Sequence, residues 1–421
     1  MKKLFVTISF LMLLALPLQI YNIPLGSLNF SLDRILLLGC LVLLPFFVRY
    51  IDKEMFLIIY LLSLSTLLSS LLATNESLLL KYFPSWIQSV LVFLISFILA
   101  KKGYINFKKL HNTHSFLLLF FVLYSFFFLY IIKTINFNYP FSSLLPDFQD
   151  DSHKLNQLYS LRIFFPFSSA PRLGFVLGFL LLAIPIKKHY LINNCNKKKD
   201  TVIAILLLFG IMLTISRGPI ISLLLSLFVY HLLKLKDNLK SGLKYSLYIL
   251  SGFIILAFIF SQYISLENFK FDRLLSFGMD DPSFEGHANV RLLAVNTSFL
   301  SPVLNLFFGY GIGHTQDVLD VSSAHSTYFT ILIEQGLLGL FAFSSLFVIM
   351  ILNAVKLYFN SRRKGLNSAL YKYLVTISVF LTIIHVVYDA TTLVILWAYN
   401  GLILGIIKYE SNKIKNYNTG I

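Results

Sequence analysis

The chain has 421 residues and a formal net charge of +16, yet only 13% of its residues are charged and 57% are hydrophobic. A soluble globular domain carries about twice that charged fraction, so a soluble enzyme is excluded. Two cysteines, Cys40 in an apolar stretch and Cys195 in a Lys-rich connection, exclude a disulfide framework.

Twelve apolar stretches follow one another: Leu4–Tyr21, Asp33–Val48, Met55–Leu72, Trp86–Ala100, Ser115–Ile132, Leu173–Ile186, Thr201–Ile215, Pro219–Leu233, Leu243–Gln262, Ser326–Lys356, Tyr371–Val387 and Thr391–Ile407. Most approach the ~20 residues that cross a bilayer as a helix. Lipid leaves the backbone only helices or a closed barrel, and stretches this long and apolar are helices. The predicted fold is therefore all-α, a single polytopic membrane domain over residues 1–421 with about 12 transmembrane helices. No internal repeat of the transporter kind is visible.

The connections alternate in charge. Those on the side of the N-terminus hold 25 of the 35 basic residues, including Lys2, Lys3, Lys101, Lys187, Lys198, Lys356 and Lys408, but only five of the 19 acidic ones. Basic residues stay on the cytoplasmic side, so both termini are predicted to be cytoplasmic. The net charge is thus a topology signal. It is scattered over seven short segments rather than one face, which argues against nucleic acid as a partner. Lys2 and Lys3 before an apolar run resemble a signal peptide. No small-x-small cleavage site follows Pro17, so a retained first helix is expected. The Phe-, Leu-, Ile- and Lys-rich composition fits a bacterial inner membrane protein.

On the opposite, periplasmic side two connections are long, at 134–172 and 263–325. Loops beyond ~15 residues usually carry function or lack order. In the second, Leu266–Phe277 and Asn289–Leu300 alternate apolar and polar residues at helical spacing, predicting short amphipathic helices on the membrane surface. Phe308–Leu340 follows. Gly309, Gly311 and Gly313 predict a flexible turn, not a nucleotide loop, since no strand precedes it and no Lys-Ser/Thr ends it.

His325 directly precedes Ser326 and Thr327, good N-cap residues for an apolar helix. The positive end of that helix dipole disfavours a charged imidazole, and a neutral imidazole is what a general base requires. His153, His287 and His314 are rivals in the outer loops, but none heads a membrane helix. In Thr214–Pro219, the short turn between two stretches places Arg217 at the membrane surface, and Ser216 at the start of the next helix. A cation beside a helix N-terminus suits phosphate; headgroup anchoring is the plainer reading. Arg172 opens another stretch from the same side and is a further cation for such a pocket. Arg162 belongs with it. Glu334 lies within an apolar helix, where a carboxylate is costly and suggests a role. His385 and Asp389 sit near one turn and could pair.

Together these segments resemble the O-antigen ligase/polymerase family of bacterial glycan-assembly proteins. The resemblance rests on Ser216-Arg-Gly218, on Arg291 before the Gly309-Tyr-Gly-Ile-Gly313 stretch, and on Ala-His325-Ser-Thr-Tyr followed by Glu334-Gln-Gly-Leu-Leu-Gly339. It covers a core at about 200–350. It implies a GT-C-like membrane enzyme that moves a glycan from an undecaprenyl-diphosphate donor to an acceptor on the periplasmic face, with no cofactor and no metal. It further implies Arg217 and Arg291 on the diphosphate and His325 as the catalytic residue; Arg172, read from its position alone, is a further diphosphate cation or a headgroup anchor, and Glu334, Gly311 and Ser216 are supporting candidates. A chain-length regulator is an implied protein partner. One departure stands out: many members carry Pro-Asn before the sixth span, where this chain reads Pro171-Arg172.

The residues support the same chemistry. Guanidinium groups stabilise the charge on a leaving diphosphate, and a neutral His activates a sugar hydroxyl. No Asp-x-Asp occurs; Asp150-Asp151 and Asp280-Asp281 are the acidic pairs. A polymerase of lipid-linked repeat units is favoured over a ligase that moves the glycan to lipid A-core or to protein. A flippase of lipid-linked sugars is the rival class. It would concentrate ionisable residues mid-span, whereas here they lie at the outer ends.

The charge alternation makes a direct prediction. Cysteines placed at Asp151 and Asp281 should react with an impermeant thiol reagent added from the periplasm. Labelling at Lys198 under the same conditions would overturn the twelve-span arrangement.

Overall fold

A computed structural model describes residues 1–18, 22–25, 28–135, 163, 166–167, 169–189, 197–214, 216–237, 282–321, 324–366 and 368–419. The predicted span Leu243–Gln262, the predicted helix Leu266–Phe277, most of the loop at 134–172, and Cys195, His153, Arg162 and both acidic pairs lie outside the described residues. Two compact units are present, Met1–Leu110 with Gly278–Ile421, and His111–Phe277.

The helices, in chain order, are α1 (Lys2–Ala15), α2 (Leu32–Leu43), α3 (Lys53–Leu71), α4 (Glu76–Lys101), α5 (Phe107–Ile135), α6 (Ala170–His189), α7 (Lys197–Leu213), α8 (Arg217–Asp237), α9 (Pro282–Leu300), α10 (Val303–Phe308), α11 (Thr315–Leu319), α12 (Thr327–Arg363), α13 (Ala369–Val387) and α14 (Val394–Thr419). Every predicted stretch inside the described residues falls on one of them. Six are long and apolar enough to cross a membrane among the described residues: α3, α4, α6, α8 up to Leu235, α12 and α13. A multi-pass membrane protein follows. The first two predicted spans are cut short. Helix α1 has 14 residues and α2 has 12, the latter passing into a 3-10 turn at Leu44-Pro45-Phe46. At 1.5 Å per residue neither reaches the ~30 Å of a hydrocarbon core.

The helical class is as predicted, with one addition that the all-α reading lacks. Strands β1 (Asn22–Leu25) and β2 (Leu28–Ser31) form an antiparallel hairpin between α1 and α2, with Asn22 opposite Ser31 and Leu25 opposite Leu28. The four-residue strands are too short to show an alternating pattern against the apolar runs beside them.

In the first unit α12 packs against α3 and α13, and α14 lies along α4. Trp86 of α4 meets Trp397 of α14 edge-to-face, centroids 5.3 Å apart. Phe343 of α12 and His385 of α13 join the same aromatic group. This core fixes the end of α12 that begins at Thr327.

Helix α12 is broken inside its third turn. Gly336 has φ 65° and ψ −165°, which ends the ladder there. The carbonyls thereby released are taken by another segment. Tyr310 N–H donates to Ile333 O at 2.9 Å, and Gly311 N–H donates to Glu334 O at 3.0 Å. The two backbones touch: a Cβ at Gly336 would lie 2.5 Å from Phe307 O, and one at Gly309 would overlap the Glu334 carbonyl. The glycine turn at 309–313 is therefore packed and hydrogen-bonded. The expected flexibility is corrected by this interlock, because positive φ and a backbone neighbour both demand glycine.

Gly365 has the same φ of 65° but open space around it. Gly365→Ala should therefore cost only the left-handed backbone strain, about 1 kcal/mol. Gly336→Ala adds a clash with backbone and should abolish a cooperative thermal transition or lower it far more. Equal losses for the two variants would contradict the interlock.

Candidate active site

The first unit assembles a polar cluster at the start of α12. His325 adopts φ 55°, a left-handed conformation rare outside glycine. Strain of this kind persists where the surroundings over-determine it and clusters at functional sites. Ser326 occupies the N-cap position, as predicted, but its hydroxyl does not cap. It donates instead to His385 O at 3.2 Å.

Helix α9 supplies the rest. Val290 and Ala294 pack with Leu319, Ala324, Ile333 and Phe329 in a small apolar core, which lays α9 against the α12 end. The predicted helix over Asn289–Leu300 is present and begins earlier, at Pro282. Arg291 Nη2 donates to His325 O at 2.9 Å and to Val387 O at 3.4 Å. Its Nε is buried with no hydrogen-bond partner among the described residues. One turn earlier, the His287 ring meets the His325 ring edge-to-face at 3.9 Å between centroids.

The third wall is the turn between α13 and α14. Asp389 accepts from Thr330 Oγ1 at 2.8 Å and from Thr391 N–H at 3.1 Å. His385 does not pair with Asp389, contrary to expectation. Its Nδ1 lies 3.0 Å from Thr327 Oγ1, and its Nε2 lies 3.1 Å from Asn400 Nδ2. Thr327 Oγ1 donates to Tyr388 O and accepts from Ala390 N–H. A His385 protonated at Nδ1 completes that hydroxyl and leaves Nε2 to accept from Asn400. Both ring nitrogens are thus committed to holding the α13–α14 turn on α12.

Charge around His325 is asymmetric. Burial, then the Arg291 cation, holds its imidazole below the ordinary range, and the Asp389 carboxylate works in the opposite direction. The neutral ring is favoured, as a base requires.

Glu334 and Gly311 belong to the interlock. Thr315 Oγ1 donates to Glu334 Oε1 at 2.8 Å, and the N–H groups of Gly313 and Thr315 also point at this carboxyl. Among the rivals, His314 is a structural residue: its Nε2 accepts the Asn75 N–H at 3.0 Å at the start of α4.

The remaining predicted residues lie in the second unit. Thr214–Ser216 joins α7 to α8, and Arg217 opens α8. Arg172 is in the first turn of α6. A Cβ at Gly174 would lie 2.6 Å from Pro219 Cγ and 3.2 Å from Thr214 Oγ1, so the α7–α8 turn rests on the start of α6. Arg172 and Arg217 therefore share one end of that helix pair. Ser216 is buried there and Arg217 is half-exposed.

Sequence reasoning passed over His287, which it ranked as a rival to His325 rather than a neighbour. The available signal was spacing: His287 and Arg291 are four apart and share a helix face.

The His325 backbone and ring can be separated by substitution. His325→Gly should fold about 0.5–1 kcal/mol more stably than His325→Ala, because glycine accepts positive φ, while both lack the imidazole. A His325→Ala protein at least as stable as His325→Gly in thermal unfolding would contradict the strained backbone.

Sequence comparison with curated proteins finds no match. Residues 202–344 match the family described as O-antigen ligase, a range that contains Arg217, Arg291, His325 and Glu334. The chain therefore carries an O-antigen ligase family segment over residues 202–344, within the O-antigen ligase/polymerase assignment that its motifs suggested.

Proposed function

We propose that this protein is a metal-independent glycosyltransferase of the bacterial inner membrane. It polymerises O-antigen or a related surface polysaccharide from undecaprenyl-diphosphate-linked units on the periplasmic face. A twelve-span, GT-C-like scaffold with cytoplasmic termini would put His325 on that face. The observation that carries the reading is His325 itself. It lies in the matched segment, at the end of an apolar helix, in a strained backbone held by Arg291.

In the proposed step the acceptor sugar hydroxyl gives its proton to the neutral His325 ring as its oxygen bonds to the donor's anomeric carbon. The bond from that carbon to the lipid diphosphate breaks, and the diphosphate leaves with the electron pair. Arg217, with Arg172 beside it, is assigned to the departing charge. Arg291 has one nitrogen committed to the His325 carbonyl. The diphosphate role implied for it would fall to its remaining donors.

A second reading, the ligase, is favoured by the description of the matched family. The two share donor and chemistry and differ in acceptor. The flippase class gains nothing from Glu334, which is tied to Thr315 rather than lining a path.

General-base assistance supplies ~10²–10⁴-fold in rate. His325→Ala should lose that much single-turnover transfer while still binding the lipid-diphosphate donor. Arg217→Lys should lose donor affinity, since a point charge lacks the bidentate fork. Unchanged transfer in His325→Ala removes the base, and loss of donor binding there would make His325 a phosphate ligand instead.

A further inference from the structure

At the far end of α12, beyond the Gly336 break and opposite the end that begins beside His325, the helices open into a polar cavity of about 450 Å³ between α3, α12 and α14. Two facing stripes line it. Helix α12 presents Asn353, Lys356 and Asn360, at spacings of three and four. Helix α14 presents Lys408, Asn412 and Lys415, at spacings of four and three. These spacings put each set on one helix face. Elsewhere α12 shows apolar residues such as Phe341, Val348 and Leu352 on its exposed face.

Topology alone asks only for lysines in solvent near the helix ends. It does not ask for two stripes turned toward one concavity, nor for amides between the cations. Asp52 and Glu54 line the cavity as well; both have lysine partners, although Asp52 Oδ2 accepts no hydrogen bond among the described residues. Asp52 takes Lys101, and Lys408 lies 3.1 Å from Glu54 and 3.9 Å from Asp52. Lys356 and Lys415 have no carboxylate partner among the described residues. The lining thus sets four lysines, Lys53, Lys356, Lys408 and Lys415, and three asparagines against two carboxylates, and has positive charge to spare. It also lies at the ends of α3 and α12, two helices apolar enough to cross a membrane, and basic residues next to a span attract anionic headgroups.

We propose that this cavity is a phosphate-binding site, occupied by the headgroup phosphate of an anionic phospholipid. Lysine ammonium groups supply the charge, and the Asn side chains donate to the remaining phosphate oxygens. The site is independent of the glycan chemistry at the other end of α12.

The test uses the purified full chain in neutral detergent. Native mass spectrometry counts bound phosphatidylglycerol against phosphatidylcholine, and a parallel thermal titration uses inorganic phosphate. Wild type should retain phosphatidylglycerol over phosphatidylcholine, and Lys356→Gln/Lys415→Gln should bind it about tenfold or more weakly. Arg363→Gln/Lys413→Gln, which removes the same charge from equally exposed positions that do not line the cavity, should bind like wild type. Stabilisation by inorganic phosphate that the cavity variant loses, without lipid preference, keeps the phosphate site but assigns it to a soluble source. Equal weakening by both double variants reduces the effect to surface charge and overturns the site. So does undiminished binding of both probes in the cavity variant.

Discussion

The break in α12 at Gly336 is the constraint on which the site depends. An unbroken helix would use the carbonyls of Ile333 and Glu334 internally. The break releases them to Tyr310 and Gly311, and the glycine turn enters because neither Gly309 nor Gly336 has a Cβ in the way. The turn brings Thr315 and α11 onto α12, and Leu319 of α11 completes the apolar seat for α9. Helix α9 then delivers Arg291 and His287 to His325. The first step uses backbone groups and glycines that leave no room for a Cβ, so it tolerates little substitution.

Arg291 has two readings, and geometry sharpens the difference. The family resemblance puts this Arg on a diphosphate. The structure gives one of its nitrogens to the peptide of His325, whose left-handed conformation needs external support. A single guanidinium can do both, since it has five N–H donors and only one Nη is spent on carbonyls. Its charge helps hold the His325 ring neutral, and under the proposed mechanism it would also lie beside the site of transfer.

Much of the scaffold was legible from apolar length alone, as α3, α4, α6, α12 and α13 show. The start of α12 was legible too, because a Ser-Thr pair before an apolar run is a local signal. What lay hidden was everything that depends on one backbone meeting another. The Gly309–Gly336 interlock joins residues 27 apart through carbonyls, which no side-chain pattern records. Likewise His287 gained its meaning only when α9 folded over His325. The pairing expected of His385 and Asp389 failed because Thr327, fixed by the α12 start, competes for the His385 ring. The hairpin at Asn22–Ser31 was lost among neighbouring apolar residues.

The central claim is that a neutral His325, tuned by Arg291 and Asp389, takes the acceptor proton. The pH dependence of single-turnover transfer tests it most directly. In wild type the acidic limb should fall below the ordinary imidazole value of about 6.5, because burial and Arg291 lower the His325 pKa. Arg291→Gln removes a lowering charge, so its limb should move to higher pH and activity should be lost sooner on acidification. Asp389→Asn removes the opposing charge, so its limb should move to lower pH. Opposite displacements in the two variants are the predicted result. Reduced rates with the acidic limb unmoved in both would contradict the claim and leave His325 a structural residue at the head of α12.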